Sequence, residues 1–225
     1  MLLENLKKNL TEKLDASLLS MVTHCDQITI EISPKDSHDI CKILKNDELF
    51  QFDTLIDVCG VDYLEYGVFD WDTEKATSTG FSRGVEKGID TVNMSVTHPR
   101  YAVVYHLLST TLNQRLRVRV FLEENALLLD SIADIWAAAS WFERETYDMF
   151  GILFKGHSDL RRILTDYGFV GHPFRKDFPV SGYVEVSYDA KIGRVVYDKV
   201  DIKPRTLVPK VGRKAHKEEP VSHGN

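Results

Sequence analysis

Residues 115–122 constrain this chain more than any other stretch. Leu116, Val118, Val120 and Leu122 alternate there with Arg115, Arg117, Arg119 and Phe121. Only an extended strand, whose side chains point to opposite faces at successive positions, separates these two sets, whereas a helix would scatter three arginines around its circumference. The strand therefore belongs to a sheet with one buried face. Residues 101–109 supply a partner, and residues 110–114 between them are the right length for a hairpin connection. The arginine row reads first as a solvated face, with docking on an acidic partner or RNA as the sharper alternative.

Other elements gather around this hairpin. Residues 27–32 alternate as a half-buried strand, residues 34–36 open a short helix carrying Ile40, Ile43 and Leu44, and residues 53–61 form a further β-rich run. Leu3, Leu6, Leu10, Leu14 and Leu18 recur every three or four positions, which predicts a helix to about Ser20 with one apolar face. Ser131 with Asp134 has the spacing of a capping box and opens the clearest helical pattern, residues 132–150, stopped by Gly151. Its two stripes are Ile135, Ala139, Phe142, Thr146 and Met149, and beside them Trp136, Glu143, Tyr147 and Phe150.

These elements predict an α+β fold, a mixed sheet with flanking helices, followed by an extended C-terminal interaction arm. The expected organisation is an N-terminal helix over residues 1–22 and an α+β domain over 23–150. An interface segment over 151–202 and a tail over 203–225 follow. Residues 62–90, rich in Gly, Ser, Thr and acids without a sustained period, read as a loop insertion. The tail carries six basic side chains against two acidic ones, with three prolines and few aliphatics, so it cannot build its own core.

Charge and cysteine content narrow the function. The 225 residues hold 28 Lys and Arg against 34 Asp and Glu, and a net charge of −6 argues against a chain built to coat nucleic acid. The three cysteines, Cys25, Cys41 and Cys59, are widely spaced without a Cys-x-x-Cys pair, poor material for structural zinc, an iron–sulfur cluster or a disulfide framework. No apolar run reaches the length of a membrane span. Glu4, Glu12 and Asp15, with no arginine among the first twenty residues, argue against a secretory signal or a mitochondrial transit peptide.

Polar chemistry is densest over residues 143–179. Glu143 and Glu145 with His157 and His172 could be imagined as metal ligands. Carboxylates two residues apart, however, stand about 200° apart around a helix, and the two histidines lack the i, i+4 spacing of a zinc-binding helix. A free-standing hydrolase using Glu143, His157 and Asp177 is the rival of another class, although no nucleophile or substrate-cradling loop accompanies them. The plain reading of Arg144 and Asp148, four apart, is a local ion pair. That leaves Arg161, Arg162, Arg175 and Lys176 as surplus cations among Leu160, Ile163, Leu164, Phe174 and Phe178, a composition that suits a protein–protein interface.

These same residues carry a family resemblance. Glu143-Arg144-Glu145, Asp148-Met149-Phe150-Gly151, Gly156-His157, the run from Asp159 through Arg161 and Arg162 to Leu164, and Gly171-His172-Pro173-Phe174-Arg175-Lys176-Asp177-Phe178-Pro179 resemble the signature of the C subunit of proton-translocating NADH:quinone oxidoreductase, respiratory complex I. Tyr105-His106-Leu107-Leu108, Asn113, Arg115-Leu116-Arg117-Val118 and the stretch from Trp136 to Trp141 look like the same family. Ser158 departs from the pattern, standing where the family commonly has Pro, and the 62–90 segment is longer than usual.

The resemblance implies an unfused subunit of the peripheral arm that binds no cofactor itself, with FMN and iron–sulfur clusters held by partner subunits. It implies contacts with the quinone-site D subunit and the cluster-carrying B and I subunits, and no binding of nucleic acid. The implied location is the cytoplasmic face of a bacterial inner membrane, reached only through the complex. Glu143, Arg144, Glu145, Asp148, His157, Arg161, Arg162, His172, Arg175, Lys176 and Asp177 are then expected at subunit interfaces. The corresponding subunit of membrane-bound nickel–iron hydrogenases is the alternative within the same superfamily.

Overall fold

The computed structural model describes residues 2–64, 66 and 98–201. The expectations placed on the remainder of 62–90 and on 203–225 fall outside these residues. Helix α1 (Leu2–Leu14) buries Leu6, Leu10 and Leu14, spaced four apart on one face. It stops four residues before Leu18, the last leucine of its periodic row. A 3-10 turn at Asp15–Ser17 intervenes, and Leu18 begins strand β1 (Leu18–His24), which pairs antiparallel with β2 (Gln27–Ile32). Here the hydrogen-bond ladder to β2 overrides the helical spacing. The β1–β2 connection is the two-residue turn Cys25-Asp26, both at positive φ (49° and 57°), the conformation whose twist matches a tight hairpin.

Helix α2 (Ser37–Asn46) turns Ile40, Cys41 and Leu44 into the core and leaves Ile43 exposed. Strands β3 (Thr54–Asp62), β4 (Tyr101–Ser109) and β5 (Gln114–Leu122) complete a five-stranded sheet of order β1-β2-β5-β4-β3. The β2–β5 pair is parallel and the rest antiparallel, so the sheet is mixed and the fold α+β as expected. Leu116, Val118, Val120 and Leu122 are all buried and share a core with Ile28, Ile30 and Ile32 of β2 and with the leucines of α1. On the opposite face Arg115 is exposed, while the other two arginines are only partly solvated: Arg119 is ion-paired with Glu31 on β2, and Arg117 donates to Gln27 Oε1 at 3.2 Å.

A further group of elements flanks this sheet. Strand β6 (Leu128–Asp130), helix α3 (Ala139–Phe150) and strand β7 (Leu153–Lys155) follow one another, with β6 and β7 parallel. Helix α3 starts seven residues later than the 132–150 pattern predicts. Ser131 does not cap it through Asp134. Its hydroxyl is bonded to Glu143, and Asp134 pairs instead with His38. Trp136 anchors the intervening turns by donating its indole N–H to Phe52 O at 3.2 Å. Thr146 hydrogen-bonds Val58 O, and Gly60 lets the Phe150 ring approach so closely that a Cβ there would lie 2.5 Å from it.

Beyond Lys155 the chain runs irregularly to a two-stranded hairpin, β8 (Val184–Asp189) with β9 (Arg194–Lys199). The sequence reading has no strand here, although Val184, Val186 and Tyr188 alternate with Glu185, Ser187 and Asp189.

Candidate functional site

The polar block centres on helix α3, and Asp148 organises its C-terminal half. Asp148 is fully buried. One carboxylate oxygen accepts Arg162 Nη1 at 2.7 Å and the Thr165 hydroxyl. The other accepts the backbone N–H groups of Ile163, Leu164 and Thr165 at 2.8 to 3.0 Å. Burial alone would raise its pKa, yet the Thr165 hydroxyl and the three amides outweigh it and hold the carboxyl well below the usual carboxylate range. A full negative charge thus sits inside the protein with its acceptor sites filled.

The last carbonyls of α3 are satisfied by the segment that follows. Gly151, left-handed at φ 77°, donates its N–H to Tyr147 O. His172 Nδ1 donates to Asp148 O at 3.0 Å, Phe174 N to Met149 O at 3.1 Å, and Arg175 Nε to Phe150 O at 2.7 Å. The four orphan acceptors that every helix C-terminus exposes are therefore each bonded. A Cβ on Gly151 would lie 2.5 Å from both Arg175 Nη2 and His172 Nε2, so glycine is needed for space as well as for φ. Burial lowers the His172 pKa; its bond to Asp148 O opposes this, and the neighbouring Arg175 and Arg162 add to the lowering.

The N-terminal half of α3 is organised around Glu143, also fully buried. It accepts the Ser131 hydroxyl at 2.6 Å and Ile132 N–H at 2.8 Å, tying the end of β6 to the helix. Burial dominates here and raises its pKa. Burial also pushes the Cys41 thiol up to about 12, with the Glu143 charge adding to it. His157 accepts Asp159 N–H on Nδ1, which places its proton on Nε2, 3.0 Å from Ser140 O.

A third buried carboxylate lies at the end of β3. Asp62 receives Arg100 Nε and Nη2 at 2.9 Å each in a two-pronged pair, and the backbone N–H groups of Leu64 and Lys176. Arg100 also reaches Asp177 at 3.0 Å and Glu124 at 3.1 Å. Burial opposes ionisation of Asp62, but Arg100 and the two amides win and lower its pKa. The clasp joins the outer ends of β3 and β4 to residues 176–177.

Placed on this frame, the eleven residues singled out by sequence divide. Arg144 does not pair with Asp148. It stacks over Trp141 at 5.2 Å and donates to the carbonyls of Arg161 and Arg162 at 3.3 and 3.4 Å, because Asp148 faces Arg162 instead. Of the cations read as surplus, Arg162 is consumed by Asp148, and Arg161 pairs on the surface with Asp159. Arg175 stacks on Tyr101, 5.3 Å from the ring centroid, and Lys176 is pinned by its backbone. Glu145 is exposed on the far side of the helix from Glu143. His157 sits at the start of α3 and His172 at its end, so the imagined four-ligand metal set does not converge. Among the described residues no group of three or more His, Cys, Asp or Glu side chains is placed to hold a metal ion. Of the three groups of the hydrolase reading, the His157 ring acts electrostatically on Glu143, whereas Asp177 faces Arg100 and shares no hydrogen bond or ion pair with either among the described residues.

Sequence reasoning missed Asp62, Arg100 and Thr165, and gave Ser131 the wrong partner. The strand phase could have found Asp62: it falls in step with Val58 and Gly60, on positions the sheet buries, and a buried acid requires a donor.

This arrangement defines an α+β module whose buried charges fasten its own segments together around α3. Within that class the chain belongs to the family described as respiratory-chain NADH dehydrogenase, 30 Kd subunit, which its residues 30–184 match. It is 55% identical over 208 residues to the C subunit of NADH-quinone oxidoreductase from Legionella pneumophila (strain Corby), covering 91% of each chain. It is 50% identical over 204 residues to the protein of the same name from Coxiella burnetii (strain RSA 493 / Nine Mile phase I), covering 91% of this chain and 90% of the other. A chain in the solved structure of the membrane-bound sulfane sulfur reductase, an archaeal respiratory membrane complex, shares the fold. Its TM-score is 0.54 at 20% identity, over 78% of this chain and 85% of that one. No helix among the described residues is long and apolar enough to cross a membrane.

Proposed function

We propose that this chain is a structural subunit of the peripheral arm of a proton-translocating NADH:quinone oxidoreductase, packed against the quinone-site subunit. Electron transfer from NADH to quinone belongs to the assembly. FMN and the iron–sulfur clusters reside on partner chains, with the quinone-site polypeptide and two cluster-carrying polypeptides as the expected neighbours, and the complex holds this chain at the cytoplasmic face of the membrane.

The observation that carries the reading is the β8–β9 hairpin. Val184, Val186 and Tyr188 share one face with Val195 and Tyr197, each at least half exposed. A two-stranded hairpin is marginal alone in water, and an apolar face of this kind marks a contact surface. The module's charges point the same way, since Asp148, Asp62 and Glu143 stabilise segments of this chain and offer no open catalytic group.

The test replaces Val186 and Tyr188 with Asp in the full-length chain and follows it by native electrophoresis of gently solubilised membranes. The expected outcome is loss of the variant from the large NADH-oxidising assembly, with the circular dichroism of the purified variant unchanged. Retention of the variant at the wild-type level would exclude the hairpin as a docking face.

A further inference from the structure

Residues 174–176 combine a rigid backbone with open charges. Phe174 N–H is held by Met149 O, Arg175 Nε by Phe150 O, and Lys176 N–H by Asp62. Yet neither Arg175 nor Lys176 forms an ion pair with a carboxylate among the described residues. The nearby acids are already used: both oxygens of Asp62 are bonded to Arg100 and to backbone amides, and Asp177 faces Arg100. The two cations border an open groove of about 530 Å³ whose apolar lining includes Phe150, Phe174, Phe178 and Val180. Phe150 and Phe174 meet edge to face at 5.8 Å, which fixes the groove floor. Phe174 and Val180 remain largely exposed. Phe178 also lines the hollow beneath the β8–β9 hairpin, so the groove continues into the apolar surface described above.

We infer that this groove receives a polypeptide segment of a neighbouring subunit that carries an Asp or Glu carboxylate beside an apolar or aromatic side chain. The inference rests on the proposed role as a subunit and deepens it by naming the chemistry of the contact. The partner carboxylate pairs with Arg175 and Lys176, and its apolar neighbour fills the space between Phe174, Phe178 and Val180. Aromatic anchors beside desolvated charge pairs are the features that concentrate binding energy in an interface. Because the groove is already held by α3 carbonyls and Asp62, little ordering is left to pay on binding. The tail of this chain is a poor occupant, since residues 203–225 are net basic and would meet like charge.

The experiment is zero-length carbodiimide coupling of the assembled complex in mild detergent, followed by peptide mass spectrometry. An amide between Lys176 Nζ and a carboxyl group forms only where the two are in contact. The expected product joins the Lys176 peptide to an acidic peptide of another polypeptide, with an apolar residue adjacent to the coupled acid. Lys176→Arg abolishes that product while the chain stays in the complex. Coupling of Lys176 only within this chain or to a second copy of it overturns the inference, as does absence of any Lys176 product while other lysines couple. Lys176→Glu and Val180→Glu provide a second reading. Both side chains are exposed, and each change is expected to lower recovery of the chain with the complex at least tenfold. Wild-type recovery of both variants overturns the groove and leaves the subunit role intact. Failure of the unaltered chain to co-purify with an NADH-oxidising assembly overturns both.

Discussion

Glu143 and Asp148 lie five residues apart on one helix, and both are buried from solvent, yet their carboxyl groups are pushed in opposite directions. Asp148 collects an arginine, a hydroxyl and three backbone amides. Glu143 collects one hydroxyl and one amide, with no cation among its hydrogen-bond partners. Burial is common to both, so the number and charge of donors decide which protonation state each site prefers. At the Asp148 end an irregular segment is held to the helix by a permanent charge. At the Glu143 end the tie between β6 and α3 is compatible with a neutral acid.

The largest break in this comparison is Asp148→Asn. Removing one member of a buried pair leaves Arg162 without its counter-charge, and such changes cost about 3–5 kcal/mol. Denaturant titration should show a loss of that order. Hydrogen exchange should show the amides of Ile163, Leu164 and Thr165 losing protection before the β-sheet does. Unchanged protection there would mean the segment is held by something other than Asp148. Glu143→Gln keeps a neutral acceptor in place and should cost well under half as much.

Next in size is Gly151→Ala, which attacks the same end through the backbone. A side chain at positive φ costs about 1–3 kcal/mol, and here the added methyl also meets Arg175 and His172. The expected signature is a lower melting temperature together with a more readily protonated His172, since relief of burial, the largest cause of its lowered pKa, outweighs the loss of the carbonyl contact that favours its proton. A melting temperature equal to wild type would show that the cap is dispensable.

The pH dependence sharpens the contrast. A depressed folded-state pKa, as at Asp148 and Asp62, contributes stability that is present above the unfolded carboxyl value of about 4 and lost as pH falls below it. The raised pKa of Glu143 works in the other sense. The folded state binds the proton more tightly, so its contribution is full below about pH 4 and declines as pH rises through the folded value. Stability measured from pH 3 to 8 should therefore lose part of its acid-side fall in Asp148→Asn, and part of its decline at higher pH in Glu143→Gln. Parallel curves for the two variants would remove the distinction between the sites.

How much of this was legible in sequence depended on the range of the interactions. The alternation at residues 115–122 specified a strand and its buried face, because period and burial are set locally. The family signature was equally readable, since it is carried by contiguous motifs. What failed were statements about partners. Arg144 and Asp148 have ideal helical spacing, but the segment that brings Arg162 to Asp148 also delivers three amides, and Arg144 turns to the carbonyls of that same segment. Likewise the leucine period ran through Leu18, where pairing with Ile32 decided the outcome. Long-range hydrogen bonds overruled local preference in both cases.

The smallest effect concerns Arg161, a cation of the block that the fold leaves on the surface with a nearby partner. Arg161 pairs with Asp159 at 2.9 Å, but both side chains are more than half exposed, and such pairs contribute about 0–1 kcal/mol. Arg161→Ala should thus shift the denaturation midpoint of the isolated chain barely at all, in contrast to Asp148→Asn thirteen residues upstream. Its backbone carbonyl, which receives Arg144, survives the substitution, so the tie between α3 and the following segment persists. If Arg161→Ala nevertheless lowers recovery of the chain with its complex, the side chain acts on a partner. If recovery and stability are both unchanged, the Arg161 side chain has no part in docking, and the interface cations reduce to those bordering the Phe174 groove.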